Sequence, residues 1–202
     1  VCERCNSGPL SALDVYICRL YDAQFSRIAR AREPRTFLYD YDLLLRWLLK
    51  ASYNSARANS SDVAALSTYR SFILDGGVVP SGIDVQLELI RPSSLRSHGS
   101  RSETKLPPSS VRCCRVQMSG PLLPGLTLRL VALNSFYFWI LLSPPGSSVD
   151  DVLTELPGTR LVANANRVSL FAVRETVELH ADWAANPQAS LSMKAFRARR
   201  AK

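Results

Sequence analysis

Between residues 37 and 57 the apolar side chains return every three or four positions, whereas beyond residue 80 they alternate. The first period suits one face of a helix and the second a half-buried strand, so this change decides the fold class. Leu38, Tyr41, Leu45 and Leu48 make the helical stripe, and Leu44 and Leu49 widen it. Asp42 and Arg46 stand as an i,i+4 pair on the polar side. On this reading Leu45 and Leu48 are buried and Arg46 and Lys50 are exposed. Trp47 flanks the stripe, where it either packs on the neighbouring helix or faces a partner.

Two further helices are expected beside this one. Residues 9–31 carry Leu10, Leu13, Ile17, Leu20 and Ile28 on one stripe, with Pro9 at the first helical position and Ser11 and Asp14 at capping-box spacing. Pro34 ends that segment. A helix from Ser61-Asp62 carries Val63, Leu66, Tyr69 and Ile73 and stops at Gly76-Gly77. Strands follow: "IDVQLELI", "VRCCRVQM", and "LTLRLVAL" with "FYFWILLS" as a hairpin over Asn134-Ser135. "RLVANANRVSLFAV" reads as a second hairpin. The stretch 91–110 holds seven Ser and three Pro in twenty residues and is expected to be a mobile loop. The expected architecture is α+β: residues 1–77 a knuckle remnant plus a helical domain of about three helices, 78–173 a mostly antiparallel β-rich domain, and 174–202 a helical or disordered basic tail.

The formal charge of +8 is concentrated. Residues 91–115 and 194–202 each carry a net +5, leaving about −2 for the rest. In the second segment Lys194, Arg197, Arg199, Arg200 and Lys202 stand without an acid. Such segments attract polyanions without reading sequence, and they serve equally as a solvated linker and terminus. No stretch of about 18 apolar residues runs uninterrupted, so no membrane partner is expected. Five cysteines make a sparse, odd set, which points to a reducing, cytoplasmic compartment. The chain opens on Val with no basic-then-apolar leader, as a fragment would.

The opening "VCERCNSGPLSALD" presents Cys2 and Cys5 as a CxxC followed by Asn6. Structural zinc takes four ligands and this motif supplies two. Cys18 lies in a helix, Cys113 and Cys114 point to opposite faces of a strand, and His98 and His180 have no knuckle spacing. The pair is therefore a zinc half-site completed from an upstream segment, a redox pair, or two surface cysteines. Together with "LLLRWLLKASYNSA", which places Arg46-Trp47-Leu48-Leu49-Lys50 some tens of residues later, it resembles the C-terminal portion of HNH-endonuclease-like proteins. The resemblance covers roughly the first 75 residues. It implies that Cys2 and Cys5 belong to the second zinc knuckle of a treble clef and that Asn6 holds the position closing the motif. It also implies a catalytic His between the two knuckles, where a divalent metal activates water against a phosphodiester. That His and the first knuckle would precede Val1, so no catalytic residue is assigned.

The remaining constellations have plain readings. Asp40 and Asp42, two apart on a helix, face different directions and read as a solvated face rather than an acid/base dyad. Ser148, Asp150 and Asp151 read as a helix cap. No nucleophile elbow, zincin or P-loop motif occurs. Phe136 to Trp139 could stack bases, but alternation in a two-layer domain makes them core. Cys113 and Cys114 read as one buried and one partly exposed thiol. The expected function is a nucleic-acid-associated, HNH-like C-terminal part, not catalytic by itself, whose partners are nucleic acid and an upstream knuckle segment. The alternative is a non-catalytic, degenerate interaction module that docks its β half on a protein partner, with an unrelated enzyme as the remainder.

Overall fold

The structure, a computed structural model, describes residues 7–90, 94–96, 103–105, 110–116, 125–144, 146–147, 167–171 and 176–180. Helix α1 (Pro9–Leu20) opens on Pro9 and buries Leu10, Leu13, Ile17 and Leu20. It does not continue to residue 31. It passes into a single π-helical turn (Tyr21–Phe25), closed by the Ser26 N–H on the Tyr21 carbonyl at 2.9 Å. The wider turn rotates Phe25 into the core and ends the stripe, leaving Ile28 exposed. The capping box is also absent. Gly8 is the N-cap without a side-chain bond, and Asp14 is engaged elsewhere.

Strand β1 (Pro34–Leu38) takes the first residues expected of the next helix. Alternation turns Phe37 inward and leaves Leu38 exposed, so Leu38 is not part of a helical stripe. Helix α2 (Tyr41–Asn59) starts after Asp40, whose Oδ1 accepts the Leu43 N–H at 3.0 Å. Leu44, Leu45, Trp47, Leu48 and Leu49 are all buried, so the first half of the helix has almost no solvent face, while Asn54 and Arg57 to Asn59 are exposed. Arg46 and Lys50 depart from expectation as well: their side chains are only 13% and 12% exposed. The third expected helix is two, α3 (Val63–Ser67) and α4 (Arg70–Asp75). The break falls where Ser67 and Thr68 hydroxyls donate to the carbonyls of Ala64 and Ala65, a local competitor of helix propagation.

The strands that follow are β2 (Ile83–Leu89), β3 (Ser94–Arg96), β4 (Glu103–Lys105), β5 (Val111–Arg115), β6 (Thr127–Leu133), β7 (Phe136–Leu142), β8 (Val168–Leu170) and β9 (Thr176–His180). Five of them form an antiparallel sheet in the order β5-β6-β7-β2-β8. The β6–β7 hairpin turns on Asn134-Ser135 as expected, with Asn134 at φ 51°, which asparagine tolerates. β8 pairs with β2 across the chain; the first half of its expected hairpin lies outside the described residues. Two expectations are corrected by pairing. β3 and β4 form a ladder inside the presumed loop 91–110, and β9, in the presumed helical or disordered tail, pairs with β1 from Pro34↔His180 to Leu38↔Thr176.

The protein is α+β, with the helices on one face of the sheet. One core runs from α1 and α2 through Val85, Leu87, Val131, Phe136 and Phe138, and so crosses residue 77. A smaller cluster on the other face holds Leu128, Leu130, Tyr137, Trp139 and Leu141. All four residues of the aromatic run are buried, two on each face. We expect Leu45→Ala to cost about 2–5 kcal/mol and the exposed Leu38→Ala within about 0.5 kcal/mol, read from urea midpoints. Comparable losses at both positions would mean that the inward residues of β1 and α2 are misassigned.

Candidate functional site

Cys2, Cys5 and Asn6, and the basic residues Lys194, Arg197, Arg199, Arg200 and Lys202, lie outside the described residues, as do His98, Ser148, Asp150 and Asp151. Among the described residues no group of three His, Cys, Asp or Glu side chains is placed to hold a metal ion. Cys18, Cys113 and Cys114 are free thiols, the last two both partly buried. Burial, then its neighbour Cys113, pushes the Cys114 thiol up. His180 ends β9, exposed.

The residues of the "RWLLK" segment are brought onto α1 and α4. Lys50 Nζ donates to the Leu10 carbonyl at 3.1 Å and to Asp14 Oδ2 at 2.6 Å. Arg46 donates from Nε to the Ile73 carbonyl at 3.2 Å, from Nη2 to the Leu74 carbonyl at 2.8 Å, and from Nη1 to Asp42 at 3.1 Å. A guanidinium thus caps the C-terminal carbonyls of α4, where a cation is favoured. Gly76 makes room for it: a Cβ there would lie 2.9 Å from Arg46 Nη1, and its φ of 70° already disfavours side chains. Trp47 packs inside.

An open cleft of about 660 Å³ lies between α1, the β1–α2 connection and the chain after α4. Its frame is made by two side chains of α1 and the π turn. Tyr16 accepts the Asp40 N–H at 2.9 Å and donates to the Asp40 carbonyl at 3.2 Å. Gln24 donates to the Leu38 carbonyl at 2.8 Å and accepts the Leu38 N–H at 2.9 Å. The Tyr39 hydroxyl, in turn, accepts from and donates to the Phe171 backbone. Burial pushes the Tyr16 phenol up to about 12 against the lowering bond from Asp40, and burial, then Asp84, does the same to Tyr41. Both phenols are therefore neutral at physiological pH. Asp40 and Asp42 both line the cleft, but one caps α2 and the other pairs with Arg46, so they form no dyad.

Two buried ionic groups escaped the sequence reading. Arg129, fully buried, reaches Asp62 at 3.2 Å and the Ser52 carbonyl at 3.2 Å, while Arg115 approaches the same carboxylate at 3.4 Å. On the other face Glu88 accepts from Trp139 Nε1 at 2.9 Å and Arg167 Nε at 3.0 Å, with the Arg167 guanidinium 4.0 Å over the indole. A signal existed for the first: Arg129 shares the inward alternation of Val131 and Leu133. Both buried carboxylates are met by arginines, which suits a structural role, although Arg129 Nε finds no partner among the described residues and Arg115 is 42% exposed. No family model matches the chain, and neither a curated protein nor a solved structure does.

Arg46→Ala would strand two backbone carbonyls, and we expect it to cost about 1–3 kcal/mol in urea titrations, well beyond a surface pair. A loss of a few tenths would return Arg46 to the surface. The two phenols also set an alkaline limit. Their pKa values are raised from 10.0 in the folded state, so their contribution is complete below pH 10 and fades as pH rises towards 12. Urea midpoints should fall between pH 10 and 12, with a shallower fall in Tyr16→Phe than in the parent chain.

Proposed function

We propose that this chain is the C-terminal part of an HNH-endonuclease-like, nucleic-acid-associated protein, and that it does not cut nucleic acid by itself. One observation carries the reading. The two stretches on which the resemblance rests, the helix after the CxxCN motif and the "RWLLK" helix, meet through the Lys50–Asp14 and Lys50–Leu10 bonds. Residues 36 and 40 apart in the chain thereby act as one unit, which supports treating the motifs together. In this reading Cys2 and Cys5 supply two thiolates of a zinc knuckle, Asn6 stands at its closing position, and an upstream segment supplies the other ligands. The zinc is structural: it fixes the start of α1. Lys194, Arg197, Arg199, Arg200 and Lys202 then contact phosphates without reading bases.

The test is duplex DNA binding over a salt series, with zinc content measured after chelator washing. We expect sequence-independent binding, no cleavage with magnesium, and less than about one equivalent of zinc per chain. Replacing the five basic residues by alanine should lower the magnitude of the salt slope by up to about 4–5, at about 0.9 per phosphate contact. An unchanged slope would remove the segment as the contact. No binding at low salt would favour the interaction-module reading, and cleavage by the washed chain would overturn the proposal outright.

A further inference from the structure

The cleft beside Asp40 has a composition that selects its occupant. Leu20, Leu38 and Val79 give it an apolar lining, Asp40 and Asp42 line it beside them, and no Lys or Arg among the described residues does. On a chain of net charge +8 this is an acidic spot. Asp42 is already met by Arg46, whereas Asp40 uses one carboxylate oxygen for the Leu43 N–H and keeps the other open among the described residues. Exposed apolar side chains collect at the same place. Leu38 is 57% exposed and Val78, between the lining Gly77 and Val79, 94%. Exposed apolar residues gathered round a cleft mark a binding surface rather than a solvated one. The frame is held before any ligand arrives, because Tyr16 and Gln24 each grip a backbone unit in two directions.

A ligand of matching chemistry carries an aromatic or aliphatic anchor next to arginines. The chain holds such a segment itself, "KAFRARRAK" at 194–202, with Phe196 beside Arg197, Arg199 and Arg200. It is also within reach. β9 ends at His180, opposite Pro34, and β1 runs from Pro34 to Leu38 at the cleft, about 13 Å at strand rise. The thirteen residues 181–193 span up to about 43 Å when extended. A tether of that length sets an effective concentration of about millimolar, enough to hold a contact too weak to survive between separate molecules. We propose that this cleft is the docking site of the chain's own segment 194–202, with Phe196 on Leu38 and Val79 and the following arginines against Asp40. Docking withdraws the arginines that any polyanion would need, and it stands whether or not nucleic acid is that polyanion.

The test is trypsin cleavage of the full chain after Arg197, Arg199 and Arg200 at low salt, followed by mass spectrometry and corrected by the rate on matching synthetic peptides 191–202. Three variants are compared with the parent: Asp40→Asn, which retains a good helix cap, Leu38→Ser at an exposed side chain, and Phe196→Ser, outside the described body. Cleavage should be about fivefold faster in each variant than in the parent, since the rate follows the undocked population. High salt should bring the parent up to the variants. Equal rates in all four chains would overturn the proposal. So would protection that survives Asp40→Asn and Leu38→Ser combined, which would seat the segment elsewhere. Protection that grows with protein concentration would assign the cleft to a second copy and overturn it too.

Discussion

Over its first half helix α2 is packed by its neighbours, so Arg46 and Lys50 have little water to turn to and must find partners inside the protein. Arg46 and Lys50 find them in main-chain carbonyls: Ile73 and Leu74 at the end of α4, and Leu10 in the first turn of α1. A buried cation without such partners would cost several kcal/mol, and unmet carbonyls would add to it. Placing α1 and α4 is therefore part of burying α2. The sheet is tied to the same helix, through Ser55 Oγ on the Cys113 carbonyl at 2.9 Å and the Ser52 carbonyl on Arg129. Asp62 completes that tie from a left-handed backbone position at φ 56°. Such strain persists only where surrounding contacts over-determine it.

The same economy governs the strand edges. β1 pairs with β9 on one side; on the other, both main-chain groups of Leu38 are met by the Gln24 amide, and those of Asp40 by the Tyr16 hydroxyl. Side chains at positions 16, 20 and 24 thus stand where a neighbouring strand would add its ladder, and Pro34 removes one further donor. The π turn has a direct part in this, because it carries Gln24 outward to the edge while Phe25 turns inward. At the sheet edge β5, Ser55 meets one carbonyl in the same way.

What could be read from sequence follows from which forces are local. Leu45, Leu48 and the Asn134-Ser135 hairpin were legible because period and turn chemistry act within a few residues. The burial of Arg46 and Lys50 was not. Periodicity assigned them to a polar face, and only the arrival of α1 and α4 covers that face. β9 was missed for the same reason: five residues gain their strand geometry from β1, more than 130 positions away. The cleft was illegible in kind, since Tyr16 and Asp40 are 24 residues apart and meet only through the fold. Asp40 and Asp42 were expected on a solvated helical face, but Asp40 stands outside α2 as its extended N-cap and Asp42 pairs with Arg46, so capping and a side-chain partner set their places.

The Lys50–Asp14 pair has a meaning beyond its energy. Asp14 is about half exposed, so as an ion pair it contributes only about 0–1 kcal/mol. Its partner bond to the Leu10 carbonyl is the more constraining one, because it ties the first turn of α1 to the buried part of α2. Pro9 begins α1 four residues after Cys5. Lys50→Met removes both Nζ bonds and so releases the turn, while it retains the packing of the stem. Its consequence should be small in urea and larger in hydrogen exchange at the start of α1. An unchanged exchange rate there would mean that α1 is held by its apolar stripe alone.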